Sequence, residues 1–225
     1  MPAITNQHVA RLFDDAAEQY DDRSNPYTMR RRAQELASHV CGRSLELGGG
    51  TAAVTAELPE RSRAIHSDIA PNMCRQARRK VGCPSICFDA EVIPFADGTI
   101  DSAISSEMIY YLDRPERFAA EAFRVLRTGG RLLISTTNPV VTILERGRSL
   151  LRKMGFKRMF FDDGSPNFIS MSRLVGMLER AGFVIESRRH IVVLPFAPLD
   201  RLNRILERTP LRHFALFMIV CARKV

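Results

Sequence analysis

The chain has no run of eighteen apolar residues, so no segment reads as a transmembrane helix. Its most apolar stretch, "HFALFMIVCARK", is too short to span a bilayer and fits a central strand. The start, "MPAITNQHVARLFDD", lacks the basic opening and apolar stretch of a signal peptide. There is no Cys-x-x-Cys pair. The five cysteines are an odd number, and the nearest two, Cys83 and Cys87, have no second Cys/His pair at zinc-finger spacing. No metal site is expected, and a cytoplasmic chain with reduced thiols is. RGG repeats and RNA-binding signatures are missing, so no nucleic-acid partner is expected. No tandem repeat, low-complexity tract or long linker occurs.

What is present is a 225-residue chain with 45% apolar residues, enough for one sizeable core. The net charge is +8. The excess gathers at Arg75, Arg78, Arg79 and Lys80, again at Arg146, Arg148, Arg152, Lys153, Lys157 and Arg158, and in the last quarter from Arg188 to Lys224. Such clusters attract phosphates or anionic lipid, although solvated helix faces account for them equally simply.

Residues 6–20 place Val9, Leu12, Phe13, Ala16, Ala17 and Tyr20 at helical spacing. Asn25-Pro26 breaks that helix, and residues 28–40 form a second. A regular alternation follows. "RSLEL" is a short strand ending at glycines, and "AAVTAELPE" a helix stopped near Pro59. "RAIHSDI" is a strand, and "PNMCRQARRKV" a helix with proline in its first turn, where a missing N–H costs nothing. "SICFDA" and "IDSAISSE" are strands, "RPERFAAEAFRVLR" a helix with a "TGG" stop, and "RLLISTT" a fifth strand. This is the spacing of βαβ units, hence an α/β fold with a parallel sheet covered on both faces. Beyond residue 139 come a basic, partly amphipathic segment, a helix in "SMSRLVGMLERAGF", a long strand in "VIESRRHIVVLPF", a short helix in "LDRLNRILERT" and a last strand.

Ligands of doubly wound sheets bind at the C-terminal strand ends. Glu46, Asp68, Asp89 and Glu107 stand where the first four strands end. Gly48, Gly49 and Gly50 follow the first and can bring backbone close to a ligand. Asp68 comes twenty residues after Gly48, where a carboxylate can hold ribose hydroxyls. A tight turn and a helix cap are the plain alternatives. Two counts of the loop compete. Gly48-x-Gly50-x-x-Ala53 fits a dinucleotide fingerprint, whose amides hold a pyrophosphate. Glu46-x-Gly48-x-Gly50 fits a cationic nucleoside ligand, and only this count gives Glu46 and Asp89 a purpose.

Four motifs in order carry a resemblance: "ELGGGTA", "DIAPNMCRQAR", "DAEVIPFADGTID" and "EAFRVLRTGGRLLIS". Together they resemble the class I S-adenosylmethionine-dependent methyltransferases, specifically the type 11 group, densely over 41–137 and loosely over 170–225. Two departures are Ala52 in place of the third loop glycine and Arg127-Thr128-Gly129-Gly130 in place of Lys-Pro-Gly-Gly. The resemblance implies a seven-stranded sheet of order 3-2-1-4-5-7-6 with an antiparallel last strand, an N-terminal helical cap over 1–40, and a methyltransferase domain over 41–225. It implies S-adenosylmethionine as cofactor. Glu46 and the loop of Gly48, Gly49 and Gly50 would approach its amino-acid part, and Asp68 its ribose. Ile69 and Met73 would pack by the adenine, with Asp89 and the Ala90 amide facing its edge. Glu107 would line the methionine side, and Tyr20 would close over the cofactor.

Methyl transfer from a sulfonium is in-line displacement with an excellent leaving group, so alignment does much of the work. The five histidines, His8, His39, His66, His190 and His213, read as structural. Tyr110 and Tyr111, after the fourth strand, are the candidate catalytic groups, with packing as their alternative. "SSEMIYYL" stands where adenine- or glutamine-methylating enzymes carry Asn-Pro-Pro-Tyr. Residues 139–169 read as a lid insertion, basic and apolar together, suited to an acidic, phosphorylated or lipid-linked acceptor or to peripheral membrane contact. The expected reaction is methylation of a small molecule at a hydroxyl oxygen. Carbon methylation of a quinone-like or lipid substrate, and a non-catalytic cofactor-binding module, are the alternatives.

Overall fold

The computed structural model describes residues 6–140 and 168–225. Most of the expected lid, residues 141–167, lies outside them. Seven strands form one sheet: β1 (Ser44–Leu47), β2 (Ala64–Asp68), β3 (Ser85–Cys87), β4 (Ile100–Ser106), β5 (Leu126–Thr137), β6 (Phe183–Ile191) and β7 (Phe217–Lys224). Their order is β3-β2-β1-β4-β5-β7-β6, and β7 runs antiparallel to both neighbours. The first five strands pair in parallel, which each crossover unit makes unavoidable. β1 is buried throughout, as a central strand covered on both faces must be.

The helices cover those faces. α4 (Pro71–Val81) opens with proline and stops at Gly82, whose φ of 69° ends it in a left-handed cap. α5 (Pro115–Val125) buries Phe118, Ala119, Ala122 and Val125 against the sheet. α6 (Met171–Arg180) starts at Ser170, whose hydroxyl accepts from the Arg173 amide. Ahead of the sheet lie α1 (Asn6–Ala16), the short α2 (Tyr20–Arg23) and α3 (Pro26–Ala37). α3 is capped by Asn25, which accepts from the Tyr27 and Thr28 amides. α7 (Asp200–Leu206) sits between β6 and β7.

Three local expectations change. Residues 6–20 are not one helix: α1 passes through a single turn at Ala17–Gln19 into α2. "AAVTAELPE" holds only turns and one helical turn over Thr55–Glu57. Ala52 has a φ of 63°, which no α-helix accommodates, and the Val54 and Thr55 amides are taken by the Glu46 side chain. "TGG" is no helix stop, because α5 runs straight into β5. Gly130 lies in that strand beside a register shift against β4, where a Cβ would meet the Arg127 carbonyl oxygen at 2.8 Å.

Candidate active site

The loop after β1 is held by carboxylates on both sides. Gly48 and Gly50 have φ of 60° and 55°, and a Cβ on Gly48 would collide with the Met108 sulfur. Glycine is required there for conformation and for space. Asp68, at the end of β2, accepts the Gly50 amide at 2.9 Å on one oxygen and the Ala70 amide at 2.9 Å on the other. Glu46 turns inward instead. Its oxygens accept from Val54 N at 3.3 Å, Thr55 N at 3.1 Å and Thr55 Oγ1 at 2.5 Å. Burial pushes the Glu46 carboxyl up to about 7 against those bonds, and Asp68 up to about 6. Fully buried His66 contacts Ser85 Oγ through Nδ1 at 2.7 Å, and burial lowers it to about 4, so the ring is neutral.

The N-terminal segment is latched over this loop at three places. Asn6 Nδ2 donates to Asp89 Oδ2 at 2.6 Å. Asp14 accepts the Asn72 amide at 2.6 Å and its side-chain nitrogen at 2.9 Å, at the start of α4. Asp21 accepts from Thr51 Oγ1 at 2.5 Å and Lys80 Nζ at 2.6 Å. These contacts bring Tyr20 over Gly50, 3.6 Å from where a Cβ would stand. Burial raises the Tyr20 phenol to about 12.

At the end of β4, Glu107 takes a φ of 59°, unusual for a side chain of its size. Its carboxylate accepts from Ser135 Oγ at 3.1 Å, Thr137 Oγ1 at 2.5 Å and Tyr110 OH at 3.2 Å. Burial pushes the Tyr110 phenol well above its ordinary value. Tyr110 packs against Tyr111 with the rings tilted at 4.7 Å and meets Phe168 edge-on at 5.2 Å, while Tyr111 meets Phe13 at 5.1 Å. Arg32 of α3 donates from Nε to Ser106 Oγ at 3.0 Å and lies over the Phe217 ring at 4.7 Å.

One cavity joins these parts. It is lined by Tyr20, Glu46, Gly48, Gly49, Gly50, Asp68, Ile69, Asp89, Ala90 and Glu107, and by both candidate tyrosines, Tyr110 and Tyr111. Met73 is not on its wall. It is fully buried behind Ala70 and packs with Ala17. None of the five histidines lines the cavity. Sequence reasoning missed Asn6, Arg32, Thr137, Phe168 and Phe217, all of which do. For Arg32 a signal existed: Asn25, Thr28, Met29 and Arg32 share one helical face, and all four line the cavity. Among the described residues no group of three or more His, Cys, Asp or Glu could hold a metal ion.

The donor set decides between the two loop counts. Four carboxylates line the cavity, and Arg32 is its one basic residue among those described. A pyrophosphate would face that acidic wall with Arg32 as its one cationic partner among the described residues. A sulfonium nucleoside fits it in charge and in hydrogen-bond acceptors, and the bare glycine floor leaves it room.

The family model described as a methyltransferase domain matches residues 45–134. A bifunctional biotin-biosynthesis protein, BioHC of Cellvibrio japonicus, is 34% identical over 145 residues, 61% of this chain, and the chain spans only 28% of its length. An uncharacterized protein of Methanocaldococcus jannaschii, MJ1123, is 30% identical over 202 residues, 86% of this chain and 90% of its own length. Other relatives carry the names of oxygen- and carbon-methylating enzymes. A solved S-adenosylmethionine-dependent methyltransferase from Thermotoga maritima shares the fold with a TM-score of 0.71 at 19% identity, over 97% of this chain and all of its own. With the sheet order, the acidic strand ends and the glycine floor in place, this chain belongs to the class I S-adenosylmethionine-dependent methyltransferases.

Proposed function

We propose that the cavity binds S-adenosylmethionine along its carboxylate wall and directs its methyl group to an anionic oxygen of a small molecule held beside Arg32. The observation that carries this reading is the charge layout among the described residues, with Asp68, Asp89 and Glu107 along the cavity and one cation, Arg32, on α3. In this reading Asp68 holds the ribose hydroxyls. Each of its oxygens already accepts one amide, and a carboxylate has further lone pairs to offer. Asp89 and the Ala90 amide face the adenine edge, beside Ile69. Glu107 and Tyr20 flank the methionine side. Glu46 is a positioning residue, because its bonds organise the loop from within. The helices of residues 1–40 act as a cap on a domain of residues 41–225, through the latches at Asp89, Asn72 and Thr51.

Bound S-adenosylmethionine supplies an electrophilic methyl with an excellent leaving group. The chain supplies alignment. Among the described residues it offers no poised base, because the histidines lie elsewhere, the Tyr20 and Tyr110 phenols are pushed upward, Glu107 is occupied by three donors, and the raised carboxyls of Glu46 and Asp68 are bonded to the loop. The acceptor must therefore arrive ionised or readily ionised, as a carboxylate or an acidic hydroxyl. An activated carbon acceptor would share that property, and the bond formed in the methylated product tells the two apart.

Two measurements test the reading. In calorimetry, Asp68→Ala should weaken S-adenosylhomocysteine at least about tenfold, the loss of about 1.4 kcal/mol of charged hydrogen bonding. Unchanged affinity removes Asp68 from the site. Labelled methyl transfer, screened over paired acceptors with and without an anionic group, should favour the anionic members. Transfer to neutral acceptors alone would overturn the role given to Arg32.

A further inference from the structure

The segment between β6 and β7 carries a second surface. Of the ten large hydrophobic residues exposed among those described, six lie here: Phe196, Leu199, Leu202, Ile205, Leu211 and Phe214. Ile205 is 62% exposed and Phe196 57%. Single exposed apolar residues are ordinary, but a concentration of this kind marks an interaction site.

The helix within the segment is inverted. A surface helix normally buries its apolar stripe. The one buried residue of α7 is Asn203, which bonds the Leu194 backbone through both side-chain atoms and donates to Tyr27 OH at 2.7 Å. Asp200 accepts from Tyr27 OH at 3.0 Å, and Glu207 pairs with buried Arg31 at 3.2 Å. The polar side of α7 is thus spent on α3. Leu199, Leu202 and Ile205, three apart, face solvent.

Arginines are interleaved with these residues. Arg201, Arg208 and Arg212 are exposed, and none has a carboxylate within 4.0 Å among the described residues. Apolar side chains projecting between unpaired arginines match the boundary of an anionic bilayer, where rings and alkyl groups enter the acyl edge and guanidinium groups meet phosphates. A two-fold contact with another copy would set these arginines against themselves.

The surface lies beside the cavity. Ile191 and Thr137 both pair with Phe217, so the segment leaves the sheet at the end where β5 reaches the site. Asn25, on the cavity wall, donates to the Pro195 carbonyl at 3.3 Å. α3 separates the two, with Thr28 and Arg32 toward the cavity and Tyr27 and Arg31 toward α7.

We infer that the face formed by residues 196–214 docks on an anionic lipid surface and sets the cavity beside the headgroups. The inference stands apart from the identity of the acceptor. Its test is flotation of the full chain with vesicles of phosphatidylcholine alone and of phosphatidylcholine mixed with phosphatidylglycerol. Binding is expected only to the mixed vesicles and should fall with salt. Arg208→Gln with Arg212→Gln should weaken it about thirtyfold. Leu202→Ser with Ile205→Ser should abolish it. Both pairs should keep the melting temperature and the affinity for S-adenosylhomocysteine, since neither touches the cavity. Failure to float with mixed vesicles, or equal binding by the variants, overturns the inference. Light scattering that shows a dimer dispersed by Leu202→Ser with Ile205→Ser, without vesicle binding, would assign the face to a second copy instead.

Discussion

Ala52 and His66 show how much of the loop is decided by single residues. Ala52 replaces a family glycine, and its methyl is fully enclosed. The cost of that departure lies in the backbone, because a φ of 63° is strained for any residue with a Cβ, by about 1–2 kcal/mol. Ala52→Gly relieves the strain while losing one buried methyl, about 0.8 kcal/mol, and some chain entropy. Stability should therefore change by less than about 1 kcal/mol. Ala119→Gly, equally buried but within α5, should cost about 2 kcal/mol from helix propensity and the lost methyl. Equal losses in urea denaturation would refute this account of Ala52. His66 and Glu46 oppose each other with pH. Glu46 is raised from 4.5 to about 7, so its contribution declines as pH rises through that window. His66 is lowered from 6.5 to about 4, so its contribution is present above 6.5 and lost as pH falls toward 4. Over about pH 4.5–6.5 the two slopes offset. In His66→Gln the unfolding free energy should fall steadily from pH 4.5 to 7, with Asp68, raised to about 6, adding to the slope. A variant whose slope equals the parent's would show that His66 is not lowered, and one with no fall over this window would show that neither Glu46 nor Asp68 is raised.

At the scale of elements, α1 is attached to the sheet side of the site through side chains rather than through a broad apolar face, since Val9 is its only buried residue. Asp14 is the strongest of these attachments, with two bonds below 3 Å to Asn72 at the head of α4. Asp14→Ala should loosen α1 and speed S-adenosylhomocysteine dissociation about tenfold, the equivalent of about 1.4 kcal/mol, with little change in global stability. Stopped-flow release at the parent rate would show that α1 plays no part in retention. The helices and strands themselves were largely legible, because α4, α5 and α6 carry strong 3.6-residue periodicity and β1, β4 and β7 short apolar runs. The stretch after β1 was not. "AAVTAELPE" has helical composition, yet the long-range demand of Glu46 for the Val54 and Thr55 amides overrides that local preference. The outward apolar side of α7 was equally hidden, since periodicity reports a stripe without saying which side is packed.

At the scale of the whole molecule, the charge distribution predicts ligand choice. Among the described residues the acidic strand ends share one cavity with a single cation, so S-adenosylhomocysteine at a hundredfold excess over its Kd should add about 2.7 kcal/mol to the unfolding free energy. NAD at the same concentration should add nothing measurable; stabilisation by NAD alone would contradict the charge argument. What the sequence determined by itself was the alternation of elements, the acids at four strand ends and the glycine floor, all of which depend on neighbours in the chain. Only the tertiary structure decided which side chains share the cavity. It set Arg32 above Phe217, brought Asn6 to Asp89, turned Glu46 inward and left Met73 behind Ala70. The physical reason is range: a local pattern specifies which way a side chain points from its own element, whereas a site is made of contacts between residues as far apart as Asn6 and Asp89, which only the packing of the whole sheet can bring together.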